Sequence, residues 1–433
     1  MTAVAAAEVA PPRASTSSLA NASTLVMIGF IATTLAQPQA LGGIPLRNMM
    51  KNEMHLPRAA ASAFIFWIGL AWYFKPLAGI ITDAFPILGS RRRAYMIGSS
   101  VAAAAVWGAV CFTPHKYMSL LYIFMFLSLF MVFASTAVGG FMVEAGQAQG
   151  ASGRLSSVRE IAQRTCTIIV GPTAGFLASI AFHWTAIISA LIIFALAPLS
   201  FLLMRETPVR PDPGRVFAKT WRQLKNIGRA RTLWAAAGLT LLVFIAPGFG
   251  TALFYRQQTE LHMTPQAQGF LSLIEGVCGF GGAFLYAGFA RRLTLRWLLS
   301  GALAFSAIIT LGFLFYHSVL VAQAMAGIGG FGGAFAEIAL FDLAVRSTPA
   351  GSEALGFSLM ISVRNLAVFA TDWLGSWMLD QHIASFDNLV WINAATTAVC
   401  VPLVFLLPRA LIRRRDAEIP ADVPAPPAQI QLD

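Results

Sequence analysis

The chain has 433 residues, 57% of them apolar types and 11% charged, with a formal charge of +11. An ordinary soluble domain carries roughly 25% charged residues, so a soluble globule is excluded; the 33 Phe and 10 Trp exclude disorder for most of the chain, and four cysteines exclude a secreted disulfide scaffold. Twelve helices of about 20 apolar residues each use about 240 residues, which accounts for nearly all of the apolar content, so the composition predicts an all-α integral membrane protein with twelve transmembrane helices.

In chain order, residues 1–20 read as a disordered tail, because Pro11, Pro12 and Arg13 interrupt the alanines and no basic segment precedes them as in a signal peptide. Apolar runs of spanning length follow near 22–46, 58–87, 94–113, 118–143, 158–181 and 183–204. A second set lies near 233–254, 265–290, 297–316, 319–345, 354–381 and 388–409. Their length and their Leu, Ala, Phe and Met content exclude strands. The expected organisation is therefore a six-helix bundle over 21–204, a basic linker over 205–232, a second six-helix bundle over 233–409, and a Pro-rich acidic tail over 410–433. In the linker, residues 216–224 admit two readings: a solvated segment, or a helix lying on the anionic leaflet with Phe217 and Trp221 as apolar anchors. Cys111, Cys166, Cys278 and Cys400 are isolated and form no ligand cluster, so no metal or cofactor is expected and the cysteines read as packing residues.

Charge sets the orientation. With the N-terminus inside, the inner segments hold 22 Lys and Arg and the outer loops hold five: Arg47, Lys51, Arg58, Lys116 and Arg256. The positive-inside rule then places both termini in the cytoplasm, in a bacterial inner membrane. The basic excess belongs to the membrane face rather than to nucleic acid, so the expected partners are a small-molecule substrate and lipid, with the protein a monomer.

A shift of 200 residues aligns Gly69 with Gly269, Gly79 with Gly279, Arg91–Arg92 with Arg291–Arg292, Phe141 with Phe341, Arg164 with Arg364 and Gly175 with Gly375. A parallel repeat of this kind marks transporters whose substrate site lies between two halves. Lys75 falls on Glu275 under the same shift. The second span ends FKPLAGIITDAFPILGSRRRAY, in which Lys75, Gly79 and Asp83 share one helical stripe and Arg91, Arg92 and Arg93 follow in a short loop. Gly79 is expected to admit a closely packed neighbouring helix.

This segment resembles the loop 2–3 signature of the major facilitator superfamily. The Lys-Pro before the glycine resembles the folate–biopterin transporter family. So does TPAGSEALGFSLMISVRN at 348–365, through Pro349, Gly351, Glu353, Ser362 and Asn365. Glu144 matches that family's acidic residue in helix 4, whereas Gly139 and Gly140 stand where its Asp is usual. The resemblance implies the major facilitator fold, two pseudo-symmetric six-helix bundles, and folate-like substrates carried by alternating access.

A charge at mid-bilayer costs about 2.5–3.5 kcal/mol or more unless it meets a partner or water. Lys75, Arg164 and Arg364 in the spans are therefore candidate ligands of an anionic substrate, with Gln37, Gln39 and Asn365 as polar contacts. Glu275 and Asp372 are candidate proton carriers, since burial is what tunes a carboxyl for that work. Gly79, Asp83, Arg91, Arg92, Glu144, Glu337, Asp342 and Glu353 are candidate gating residues; structural ion pairs are the alternative for Asp83, Glu144, Glu337 and Asp342, which lie near the inner ends. The expected pairs are Asp83 with Arg364, Lys75 with Asp372, and Arg164 with Glu275.

Gln37 and Gln39 flank Pro38, so they either bind a heterocycle or satisfy a broken helix. Phe66, Trp67, Trp72 and Tyr73 either stack on a pterin or pack against lipid and helices. GPTAG at 171–175 is similar to a drug–proton antiporter signature. The glycines from Gly327 to Gly333 resemble a phosphate string, but in an apolar span they predict close helix packing. No nucleotide-binding motif and no nucleophile–base or metal constellation is visible, so the chain reads as a proton-coupled secondary transporter and not an enzyme. The alternatives are a drug–proton antiporter and a non-transporting membrane assembly factor on the same fold.

Overall fold

A computed structural model describes residues 19–149, 151–204, 206, 212–290, 292–349 and 352–412, and these are nearly all helical. Most of both expected tails, together with Arg291 and Gly351, lies outside the described residues. Among the described residues, six helices are long and apolar enough to cross a membrane: Tyr117–Gly146, Phe182–Leu203, Pro265–Ala290, Leu295–Phe315, Val319–Ser347 and Phe386–Leu406. The remaining apolar runs are helical too, but they are interrupted or carry more polar residues.

The interruptions are informative. The first run is helical over Leu19–Leu35, breaks around Pro38, and resumes as Gly43–Asn52. The seventh is helical over Arg231–Val243, breaks around Pro247, and resumes as Gly250–Thr259. Proline removes a backbone donor and clashes with the preceding turn, so each break frees carbonyls that need new partners. Trp107 donates its indole N–H to the Ala36 carbonyl at 2.9 Å, and Asn393 donates to the Pro247 carbonyl at 2.7 Å. The second run is likewise divided into Arg58–Ile68, Leu70–Tyr73 and Lys75–Ala84.

Helix Gly43–Asn52 corrects one expectation. Arg47 and Lys51 lie on it rather than in an outer loop. The signal was present: Leu46, Met49 and Met50 repeat at helical spacing, and all three are buried.

The largest apolar core draws its fully buried members from residues 22–204, around Phe64, Trp107, Phe124 and Phe141. A second draws its members from residues 227–412, around Leu295, Leu299, Leu343 and Val404. Helix Pro265–Ala290 packs most extensively on Val319–Ser347 and on Ser152–Leu177. Small residues make these contacts possible. A methyl at Gly171 would lie 2.6 Å from the Gly269 carbonyl, and one at Gly330 would run into the backbone of Glu275. The glycines of 171–175 and 327–333 thus include packing positions. Gly79 differs from its expectation, because a methyl there would meet only Thr136 at 3.8 Å, an ordinary contact.

Candidate functional site

Of the arginines at 91–93, Arg93 opens helix Arg93–Val110 and donates to the Phe201 carbonyl at 2.8 Å, whereas Arg92 is buried among acids. Arg92, only 7% exposed, donates from Nη2 to Asp83 at 2.6 Å, from Nε to Glu144 at 2.9 Å and from Nη1 to Thr82 Oγ1 at 3.0 Å. Burial alone would lower its pKa, but the charges of Glu144 and Asp83 and their hydrogen bonds outweigh it, so the net direction is upward. The guanidinium lies against Gly140, where a methyl would stand 2.5 Å from Cζ. Gly140 therefore supplies the seat for the arginine that Glu144 and Asp83 hold. At the start of the linker, Glu206 accepts the backbone N–H groups of Arg91, Arg92 and Arg93 and the Ser90 hydroxyl at 2.6 Å. A carboxylate there complements the positive end of helix Arg93–Val110.

Lys75 is differently placed. Its ammonium donates to Ser135 Oγ at 3.1 Å and lies 5.1 Å from the Trp72 ring centre. Among the described residues it has no carboxylate partner, and the guanidinium of Arg159 acts on it as a nearby like charge. Arg47 was not singled out by the sequence. Its Nε is buried without a hydrogen-bond partner among the described residues. The guanidinium lies over Phe254 at 5.9 Å and within electrostatic reach of Asp372.

None of the three expected ion pairs forms among the described residues. Asp83 is taken by Arg92, and Arg364 donates to Glu337 at 2.6 Å, to Asn365 at 3.3 Å, and covers the Phe244 ring at 5.3 Å. Asp372 accepts from the Thr251 N–H at 2.9 Å and its hydroxyl at 2.6 Å, which caps the helix that resumes after the Pro247 break. Arg164 pairs with Glu160 one turn away at 2.8 Å, and on helix Pro265–Ala290 it meets Phe280 at 5.5 Å rather than Glu275. Rise per residue places a charge in depth, but rotation about the helix decides which neighbour it meets. Glu275 lies across from Gly330, and the like charge of Glu337 acts on it. Asp342 holds Arg346 at 2.7 Å and accepts from the Tyr286 hydroxyl at 2.8 Å. Glu353 opens helix Glu353–Asp380, and its side chain lies outside what the structure describes.

Gln37 and Gln39 donate to the Thr33 and Ile65 carbonyls at 2.8 and 3.4 Å, which is the geometry of a satisfied helix break. Phe66 and Tyr73 pack on Trp373 and Phe369 at 5.4 and 6.2 Å, while Trp72 lies under Lys75.

The end of the molecule away from the basic loop joins residues before 204 to residues after 213. There Arg58 pairs with Asp380 at 2.8 Å, and the Ala59 N–H donates to the same carboxylate at 2.7 Å. Lys51 donates to the Tyr255 carbonyl, the Tyr255 hydroxyl to the Leu56 carbonyl at 2.8 Å, and Gln258 to Asn48 at 3.2 Å. At the basic end the charged pairs Arg92–Asp83, Arg92–Glu144, Arg364–Glu337 and Arg346–Asp342 stay within one stretch or the other.

The model of the BT1 family matches residues 39–329 and 336–421. The folate-biopterin transporter of Synechocystis sp. is 26% identical over 440 residues, covering 94% of this chain and 87% of the relative. Folate transporter 2 of Plasmodium falciparum is 24% identical, covering 81% and 80%. Among solved structures, a POT family transporter superposes with a TM-score of 0.68 at 12% identity over 90% of this chain and 98% of the other. A D-xylose-proton symporter gives 0.65 at 13% identity over 90% and 97%. A bacterial homologue of the lysosomal transporter Spinster, inward-facing and unoccupied, gives 0.62 at 14% over 92% and 97%.

Proposed function

The chain belongs to the BT1 family and is a multi-pass membrane transporter, not an enzyme, and from that premise we propose that it carries a folate- or pterin-like organic anion by proton-coupled alternating access. Twelve spans form the bundles 21–204 and 233–409, joined by the linker 205–232. The protein lies as a monomer in a bacterial inner membrane with both termini cytoplasmic. Support for the repeat comes from the matching proline breaks in the first and seventh runs, since paired interrupted helices point to the substrate site.

The observation that carries the reading is Lys75. A cation deep in a span with only a hydroxyl and an indole face as partners lacks the counter-charge that would offset its desolvation. An anionic heterocycle supplies both what the ammonium and what the ring beside it accept. Arg47, near the second break, offers a further donor, and Arg164, Arg364, Gln37, Gln39 and Asn365 line the approach. Glu275 carries the proton; Asp372, held by Thr251 on both oxygens, is the lesser candidate. The bonds around Arg58 and Asp380 close the outer side, and Gly79, Asp83, Arg91, Arg92, Glu144, Glu337, Asp342 and Glu353 form the inner gate.

A thermal-shift series on the purified protein tests the substrate class. A ligand at 100 times its Kd adds about 2.7 kcal/mol of stability. Folate and a simple pterin are expected to raise the melting temperature, and a neutral sugar to leave it unchanged. A shift with sugar or lipophilic cations and none with folates or pterins would overturn the assignment.

A further inference from the structure

The linker contains a helix, Pro213–Arg229, started by Asp212, whose carboxylate accepts the Arg215 N–H at 3.0 Å. It is tied at both ends. Phe217 packs on Phe85 at 6.2 Å, and Ile227 is buried in the second apolar core. One face presents Phe217, which stays half exposed beside Phe85, with Trp221 and Leu224, spaced i, i+4, i+7 and exposed by 49%, 62% and 39%. Arg215, Lys219, Arg222, Lys225 and Arg229 occupy other faces, and no acidic residue occurs from 213 to 229. Lys225 reaches back to within 5.8 Å of the Trp221 ring.

The loop beside it shows the same exposure independently. Ile87 and Ser90 exchange backbone hydrogen bonds at 2.9 Å around a two-residue turn, Leu88–Gly89. Leu88 takes a left-handed conformation, φ 51°, and is 97% exposed. Such turns favour Asn and Gly, and a branched apolar residue there is strained. Leu88 thus adds an exposed apolar side chain next to the helix that carries Phe217.

We propose that helix Pro213–Arg229 is an interfacial anchor that docks on the anionic cytoplasmic leaflet, with Phe217 and Trp221 inserted at headgroup depth and the basic residues on lipid phosphates. Charge complementarity selects this occupant. An apolar stripe on a helix whose charged residues are all basic matches a negatively charged lipid surface, and the helix lies where the chain leaves one set of spans for the next. The proposal extends beyond the substrate reading and does not depend on it.

Spin labels test it in the full-length chain, with native cysteines replaced, reconstituted into vesicles. Phe217→Cys and Trp221→Cys carry labels on the apolar face, and Lys219→Cys and Arg222→Cys on the basic side. In phosphatidylcholine mixed with phosphatidylglycerol, labels at 217 and 221 are expected to meet dissolved oxygen severalfold more than a water-soluble nickel chelate, with 219 and 222 showing the reverse. In phosphatidylcholine alone, or at high salt, the contrast should collapse. Replacing Lys219, Arg222 and Lys225 together by Gln should collapse it in anionic vesicles as well. Equal nickel access at 217 and 221 in both lipids would overturn the proposal. So would protection from both reagents, which would assign the face to a protein segment.

Discussion

Arg58 and Asp380 are 322 positions apart in the chain, yet Nε of one lies 2.8 Å from Oδ1 of the other. The carboxylate also accepts the Ala59 N–H, so it caps the start of helix Arg58–Ile68 while holding the guanidinium. Reading this contact as the outer latch predicts that Asp380→Asn or Arg58→Gln biases the protein toward the outward-open state. Cysteine labelling at Gln258, in the same contact region, should then accelerate severalfold from outside. The exchange pair Arg58→Asp with Asp380→Arg should restore part of the slow rate, since a true pair is coupled. Unaltered labelling in both single variants would remove the latch.

Gly140 and Arg92 give a second test. Gly140→Ala puts a methyl where the guanidinium lies, and Arg92 cannot withdraw without leaving Asp83 and Glu144 unpaired. Overpacking of this kind costs about 1–3 kcal/mol, so the melting temperature should fall by a few degrees. Gly139→Ala, where a methyl meets nothing within 4 Å, should leave it unchanged.

Arg47→Gln should raise KM for an anionic substrate about tenfold or more, the loss of one charge-assisted hydrogen bond, with little change in melting temperature. Arg47→Lys keeps the charge but not the planar fork, and should recover only part of the affinity. Uptake kinetics over a substrate series provide the check; an unchanged KM with a large loss of stability would make Arg47 structural.

Much of the helical fold was legible because apolar length is a direct reading of composition: run 265–290 coincides with helix Pro265–Ala290. Neighbourhood was legible as well: the expected pairs set the second run beside helix Glu353–Asp380 and the fifth beside helix Pro265–Ala290, and those helices do pack together. Azimuth was not. Arg164 reaches the expected helix but meets Phe280 instead of Glu275, because a single sequence fixes no rotation. The first apolar run ends near 46, short of the end of helix Gly43–Asn52, for another reason. Its Arg47, Asn48 and Lys51 break the apolar run, although Leu46, Met49 and Met50 keep the period. Gly140 read as a departure from a family pattern, and only the guanidinium lying against it explains the position.

Glu275→Gln should abolish uptake driven by a pH gradient while leaving substrate counterflow within about twofold of the wild type, because counterflow needs no net proton movement. Asp372→Asn should instead lower stability, since the Thr251 cap weakens, typically by about 1 kcal/mol. Gradient-driven uptake that survives Glu275→Gln would take the proton away from this carboxyl.

The central claim is that Lys75 meets the charge of a transported anion. Counterflow of labelled folate into proteoliposomes, run side by side for the wild type and Lys75→Gln, tests it most directly. The account predicts saturable counterflow in the wild type and a loss of at least tenfold in the variant, with both proteins equally folded by melting temperature. Equal counterflow in the two, or none that saturates in the wild type, would contradict it.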